Sequence, residues 1–218
     1  MEFYRRSAEE VIEEMNSSKD GLTSQEAAQR LEQDGFNELE GSSKEPVWKL
    51  FLENFKDPMV IVLLIAAAVQ VVLGEIIESI IIFIVILINA VISVIQTKKA
   101  ESSLDALRQM SAPEAKVLRD GKRHTIPARE IVKGDIIFLE AGDYVPADGR
   151  LLESGSLKVD EGMLTGESEP VEKHTERIED KAPLGDRMNM VFSSALTVYG
   201  RGTVIVTGTA KETEIGKI

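Results

Sequence analysis

The chain has 218 residues, a net charge of −12 and no cysteine. An acidic surface repels phosphate backbones, so nucleic acid is excluded as a partner. Without thiols there are no disulfides, no Cys-ligated zinc and no thiol catalysis. The two histidines, His124 and His174, lie far apart and give neither a His-rich metal spacing nor a testable Ser-His-Asp order.

Taken in chain order, the first segment reads as a short helix pair. "SAEEVIEEM" and "TSQEAAQRLEQDG" each open on a capping box, Ser7 with Glu10 and Thr23 with Glu26. Gly35 is a C-cap candidate, and "EGSSKEP" (40–46) is a linker. In "VWKLFLENF", Trp48 and Phe55 fit an interfacial amphipathic lead-in to a membrane.

Two apolar runs follow. "PMVIVLLIAAAVQVVL" begins at Pro58 and "IIIFIVILINAVISVI" ends at Ile95. Each is about 16 residues, or about 24 Å as a helix, and flanking residues extend each towards the ~20 that cross a ~30 Å hydrocarbon core. The expected spans are about 55–73 and 76–95, joined at "GEIIE" into a helical hairpin. The alternative, a buried core hairpin, conflicts with the second run, which is apolar on every face. Lys44, Lys49 and Lys56 precede the first span, Lys98 and Lys99 follow the second, and the turn carries Glu75 and Glu78. The positive-inside rule then places both termini in the cytoplasm of a multi-pass protein of the cell membrane, with lipid as a partner. Residues 1–57 are polar and charged and carry no secretory signal pattern. Glu78 lies at the edge of the second span, either snorkelling to the interface or serving as an ion-path or gate residue.

Beyond a stalk helix to residue 110 the period changes. "AKVLRDGKRHTI" is a hairpin signal around Asp120-Gly121. Further strands are expected at 135–140, 149–154, 157–161, 190–199 and 203–210, which suggests a small sandwich or jelly roll. The helix at 97–110 is a candidate cover for that sheet. The acids Asp135, Asp143, Asp148, Asp160, Glu161 and Glu167 could hold a hard cation, but Asp135, Asp143 and Asp148 each adjoin a glycine, as turn acids do. No Walker-type loop and no G-x-G-x-x-G follows a strand. "LTGES" sets Glu167 among the small residues Thr165, Gly166 and Ser168, a loop carboxylate able to orient a water and accept its proton. By itself it also reads as a surface turn.

The order of hairpin, helix, "VKGDIIFLEAGDYVPADGRLL", "VDEGMLTGESEPVEK", "NMVFSSALTVYGRG" and "GTAKETEIGKI" closely resembles the N-terminal quarter of P-type cation-transporting ATPases. The similarity is greatest to reticulum-type calcium pumps in their bacterial versions. It implies an α+β membrane protein with an N-terminal helix pair (1–45), a two-span transmembrane hairpin with stalk (46–110) and a cytoplasmic β-rich, jelly-roll-like actuator domain (111–218). In such pumps ATP, with Mg2+, phosphorylates an aspartate in a "DKTGT" motif, which splits transport into two half-cycles. By the resemblance Glu167 activates the water that hydrolyses this aspartyl phosphate, Thr165 and Gly166 frame the phosphate, and Ser168 supports the loop. Glu78 falls at the family's acidic position in the second span. The sequence contains no "DKTGT" and no nucleotide-binding domain, so no cofactor site is expected in this chain. It is expected to act with the phosphorylation and nucleotide-binding domains, the remaining spans and the transported cation of a whole pump, with calcium favoured by overall similarity. Two other readings stand beside this one: a stand-alone regulatory membrane protein with an actuator-like domain, and an unrelated membrane-anchored scaffold.

Overall fold

The computed structural model describes residues 2–39, 46–110, 113–166 and 169–218. The chain divides into two compact units, Met1–Gly41 with Ala112–Ile218, and Ser42–Ser111. It is a mixed helix and sheet protein, and its sheet lies wholly in the first unit.

That unit opens with α1 (Ala8–Glu14) and α2 (Ser24–Asp34), both started by the expected capping boxes. Glu10 N donates to Ser7 Oγ at 3.2 Å and Ser7 N donates to the Glu10 carboxylate at 2.8 Å. Thr23 and Glu26 repeat the pattern at 3.2 and 2.8 Å. Each box satisfies amide groups that the first helical turn leaves without partners.

The sheet holds β1 (Glu114–Arg119), β2 (Lys122–Pro127), β3 (Ile136–Glu140), β4 (Asp148–Asp160), β5 (Val171–Glu172), β6 (Met190–Val191) and β7 (Leu196–Gly208). Their order is β2-β1-β3-β7-β4-β5, with β6 also on β4, and every pairing is antiparallel. β1 and β2 meet at Asp120-Gly121, where φ is +52° and +67°. Two positive φ values in a two-residue loop match the right-handed twist of the flanking strands.

Two expected strand pairs are each one long strand. The segments 149–154 and 157–161 fuse into β4, and 203–210 joins the second half of 190–199 in β7. The strands stay paired by bulging together near Gly155–Lys158. Gly200, at φ +76°, permits this, because a Cβ there would sit 2.3 Å from Ser156 O. Bulges of this kind bend and coil a ladder without ending it.

Alternation along β7 explains the core. Val204 and Val206 face a cluster with Val117, Ile137, Leu151, Leu157 and Val159. Ile205 points the other way, into Val11 and Ile12 of α1. The cover observed on this face is α1. Leu22, Ala27 and Val132 form a further cluster beneath α2.

The second unit holds α3 (Val47–Asn54), α4 (Pro58–Leu73) and α5 (Ile76–Met110). Asp57 caps α4 by accepting from Met59 N at 2.8 Å, and Pro58 fills the first helical position. The expected first span included Phe55, but the chain bends by 65° between α3 and α4. α4 alone has 16 residues, short of the roughly 20 a span requires. Ile76–Leu104 of α5 is long and apolar enough to cross a membrane. α4 and α5 pack on each other. Their buried positions are Val60 and Ala67 on one, and Ser79, Ile86 and Ala90 on the other. This is a narrow seam in which small residues allow close approach. Many other apolar side chains described in the two helices are exposed, among them Val62, Val72 and Ile77.

Candidate functional site

The "TGES" loop grows from the end of β4. Asp160 accepts from Gly162 N at 3.0 Å, a local side-chain turn that starts a helix. One turn follows, α6 (Gly162–Thr165), in which Thr165 N donates to Glu161 O at 3.0 Å and Gly166 N to Gly162 O at 2.9 Å. The Thr165 hydroxyl also donates to Glu161 O, at 3.1 Å. Gly166 ends the turn in the left-handed region at φ +78°, and among the described residues, its chain neighbours aside, no atom lies within 4 Å of where its Cβ would be. A glycine here costs no strain and leaves backbone open to a bulky partner. Glu167 and Ser168 lie outside the described residues. The chain returns in β5, where Val171 pairs with Val159 and Glu172 with Lys158.

The base of this loop is closed by a buried ion pair. Lys173 Nζ lies 2.7 Å from Glu161 Oε1 and donates to Oε2 at 2.8 Å, and neither side chain is exposed to solvent. Burial pushes the Glu161 carboxyl up and the Lys173 ammonium down, and each is opposed by the other's charge. Lys173 N donates to Leu157 O, and Ser154 Oγ to Lys173 O, both at 2.8 Å. Both arms of the stem are thus tied to β4. Leu164 of α6 packs into a cluster of Tyr4, Ile178, Leu184, Met190 and Phe192, which includes the N-terminal arm.

Around the stem are two further buried polar centres. Arg150 is fully buried, and its guanidinium donates to the carbonyls of Leu151 (2.6 Å), Thr175 (2.9 Å), Arg6 (3.1 Å) and Asn189 (3.3 Å). Burial lowers its pKa to about 10, so it stays charged at neutral pH. Asn189 donates in turn to Tyr4 O and Glu176 O, both at 2.8 Å. These bonds stitch the N-terminal arm to the segment that follows the loop.

The remaining acids do not converge. Asp135 receives a two-pronged Arg119 at 2.9 and 2.6 Å, and Val132 N. Asp143 accepts from Glu140 N. Asp148 accepts from Ser193 N and Glu214 N at 2.8 and 2.7 Å, and burial raises its pKa against the pull of those amides. Among the described residues no three Asp, Glu or His side chains gather as metal ligands. Glu78 lies in the first turn of α5, exposed, in the second unit. A carboxylate there complements the positive end of the helix dipole.

Sequence reasoning named Glu161 only as one of a cluster of acids and passed over Lys173. Nothing in "VEK" separates a buried lysine from a solvated one. Arg150 left a fainter trace, a lone cation before the apolar "LL" of β4.

A coiled antiparallel domain in which Thr165 and Gly166 of "TGES" close a one-turn helix defines the class, and the comparisons agree. The chain belongs to the P-type ATPase family: residues 109–218 match the P-type ATPase actuator domain, and residues 3–70 match the cation transporter/ATPase N-terminus. Along its whole length it is 65% identical to a calcium-transporting ATPase of Listeria monocytogenes and 60% identical to calcium-transporting ATPase 1 of Lactococcus lactis. It is 42% identical over 216 residues to the cation-transporting ATPase pma1 of a Synechocystis species. The chain spans 25% of the length of the first two relatives and 24% of the third.

Proposed function

We propose that the chain works as the N-terminal part of an ATP-driven calcium transporter and supplies the loop that ends its phosphorylated state. The observation that carries this reading is how the start of "TGES" is held: Thr165 ends α6 and Gly166 is left-handed, with no described residue beyond its chain neighbours crowding its Cβ position, on a stem closed by a buried ion pair. Small, open backbone on a rigid base suits close approach to a phosphate. Two relatives covering the whole chain are named calcium-transporting ATPases.

In this reading Glu167 orients a water against an aspartyl phosphate carried by another segment of the pump. The water oxygen bonds to phosphorus, the bond from phosphorus to the aspartate oxygen breaks, and the aspartate leaves as carboxylate. Glu167 takes the proton, and inorganic phosphate is released. Thr165 and Gly166 frame the phosphate and Ser168 supports the loop. ATP, with Mg2+, supplies the phosphoryl group, and both are held by domains outside this chain. α4 and α5 act as the first two spans, joined at Gly74-Glu75, with both ends of the chain in the cytoplasm and Glu78 as an ion-path or gate residue. Residues 1–45, 46–110 and 111–218 serve as helix pair, hairpin with stalk, and actuator.

The test is Glu167→Gln in the full-length transporter. Phosphoenzyme should form from ATP at the parental rate and then persist, its breakdown slowed by about 100-fold or more. Parental breakdown in this variant overturns the reading.

A further inference from the structure

We infer that Glu161 and Lys173 are positioning residues for phosphoenzyme breakdown: their buried ion pair fixes where α6 presents Thr165 and Gly166. This rests on the reading of the "TGES" loop given above. Neither residue touches the reacting atoms in this account.

Glu161 is the N-cap of α6, and its carbonyl receives both Thr165 N and the Thr165 hydroxyl. A displacement of Glu161 therefore displaces Thr165 directly. Lys173 closes the opposite arm immediately after β5. The ammonium donates to Oε2 at 2.8 Å, lies 2.7 Å from Oε1 without a hydrogen bond to it, and is 5.6 Å from the Phe192 ring centre. Phe192 belongs to the cluster that seats Leu164 of α6. The pair thus joins the two arms of the stem and borders the floor beneath the turn.

Two buried charges are a costly way to close a loop, because desolvation offsets much of their attraction. An apolar pair of similar volume stabilises a fold at least as well in several proteins. It lacks direction, however, and tolerates sliding. A buried ammonium that donates to one carboxylate and lies beside an aromatic ring cannot slide far without leaving a buried charge unpaired, so the pair favours one placement of the turn. A positional error near 1 Å at a reacting centre slows chemistry by as much as ~100-fold. Conformational definition is thus the contribution the pair makes that apolar packing does not.

The experiment compares four variants of the full-length transporter with the parent: Glu167→Gln, Lys173→Met, Lys173→Arg and the double variant Glu161→Leu with Lys173→Met. Thermal unfolding, phosphoenzyme formation from ATP and phosphoenzyme breakdown are read for each. The double variant should unfold near the parental temperature and form phosphoenzyme at the parental rate, yet break it down at least ~10-fold more slowly. Lys173→Arg keeps the charge and should recover most of the breakdown lost in Lys173→Met. A double variant with parental breakdown overturns the inference and leaves the pair a purely structural one. If the double variant does not fold, breakdown in Lys173→Arg no faster than in Lys173→Met overturns it equally. Glu167→Gln separates the two levels. Parental breakdown there removes the function proposed for the loop, whereas slow breakdown there with fast breakdown in the double variant removes only the role of the pair.

Discussion

β7 and the helices α4 and α5 are built from the same residue types and treat them in opposite ways. Val204, Ile205 and Val206 in β7 are all 0% exposed, while Val62 of α4 is 64%, Val72 86% and Ile77 of α5 72% exposed. In β7 both faces are covered, one by the sheet's own inner core and the other by α1. In the helical unit few of the described apolar side chains are buried. Apolar sequence therefore predicts a need to leave water, not the means. One region meets that need by folding over itself. For the other, the proposed means is lipid, in which an outward valine has no cost.

The same substitution placed in each region sharpens the contrast most. Val204→Asp puts a carboxylate at a fully buried position with no cation assigned to it. Its cost should exceed ~5 kcal/mol, comparable with the whole stability of a domain, and the sheet signal in circular dichroism should be lost. Val62→Asp should leave the sheet signal and its urea midpoint unchanged. Its effect should appear in membrane insertion, opposed by about 2.5–3.5 kcal/mol if Val62 faces the bilayer centre. A glycosylation-tag insertion assay reads this directly. Unaltered insertion in Val62→Asp would break the comparison and return α4 to the status of a water-facing helix.

Arg150 gives the next largest effect, from the polar side of the same contrast. Its cation sits in the sheet unit with four carbonyls as its ligands. Arg150→Met keeps the volume but strips those carbonyls of their donor. The loss should be about 4 kcal/mol, since each buried acceptor left alone costs on the order of 1 kcal/mol or more. Urea unfolding measures it. Proteolysis should also report release of residues 2–7, because Arg6 O and, through Asn189, Tyr4 O are tied to this centre.

These two regions also differ in how far the sequence revealed them. The apolar runs, the capping boxes at Ser7 and Thr23, and the Asp120-Gly121 turn carry local signals, and each element formed where its signal lay. The fused strands β4 and β7 escaped because Gly155, Gly200 and Gly202 look like strand ends. The signal that they permit two chains to pass closely exists only once the strands are paired. The α1 cover escaped for a related reason: Val11 and Ile12 are too few to announce a long-range partner such as Ile205. The loop letters Thr165 and Gly166 were legible as a motif. The Glu161–Lys173 pair beneath them was not, because burial of a lysine is decided by Phe192 and the β4 stem rather than by its neighbours in the chain.

The smallest expected effect concerns α2, where cap chemistry can be separated from packing by pH. Thr23→Ala removes the hydroxyl that receives Glu26 N and should cost about 1 kcal/mol at neutral pH. The Glu26 carboxyl is held below the ordinary glutamate value, first by the Thr23 amide and then by the Thr23 hydroxyl. A depressed carboxyl contributes stability that is fully present above its unfolded value, about 4.3, and is lost as pH falls through the lower folded value. Acid should therefore weaken the parental cap while sparing the bond from Glu26 N to the Thr23 hydroxyl, which carries no charge. The difference in urea midpoint between parent and Thr23→Ala should shrink between pH 7 and about pH 3 without reaching zero. A difference that stays constant over that range means that the bond the Thr23 hydroxyl donates to the Glu26 carboxylate contributes nothing, because the bond from the residue 23 amide persists in both proteins and cancels.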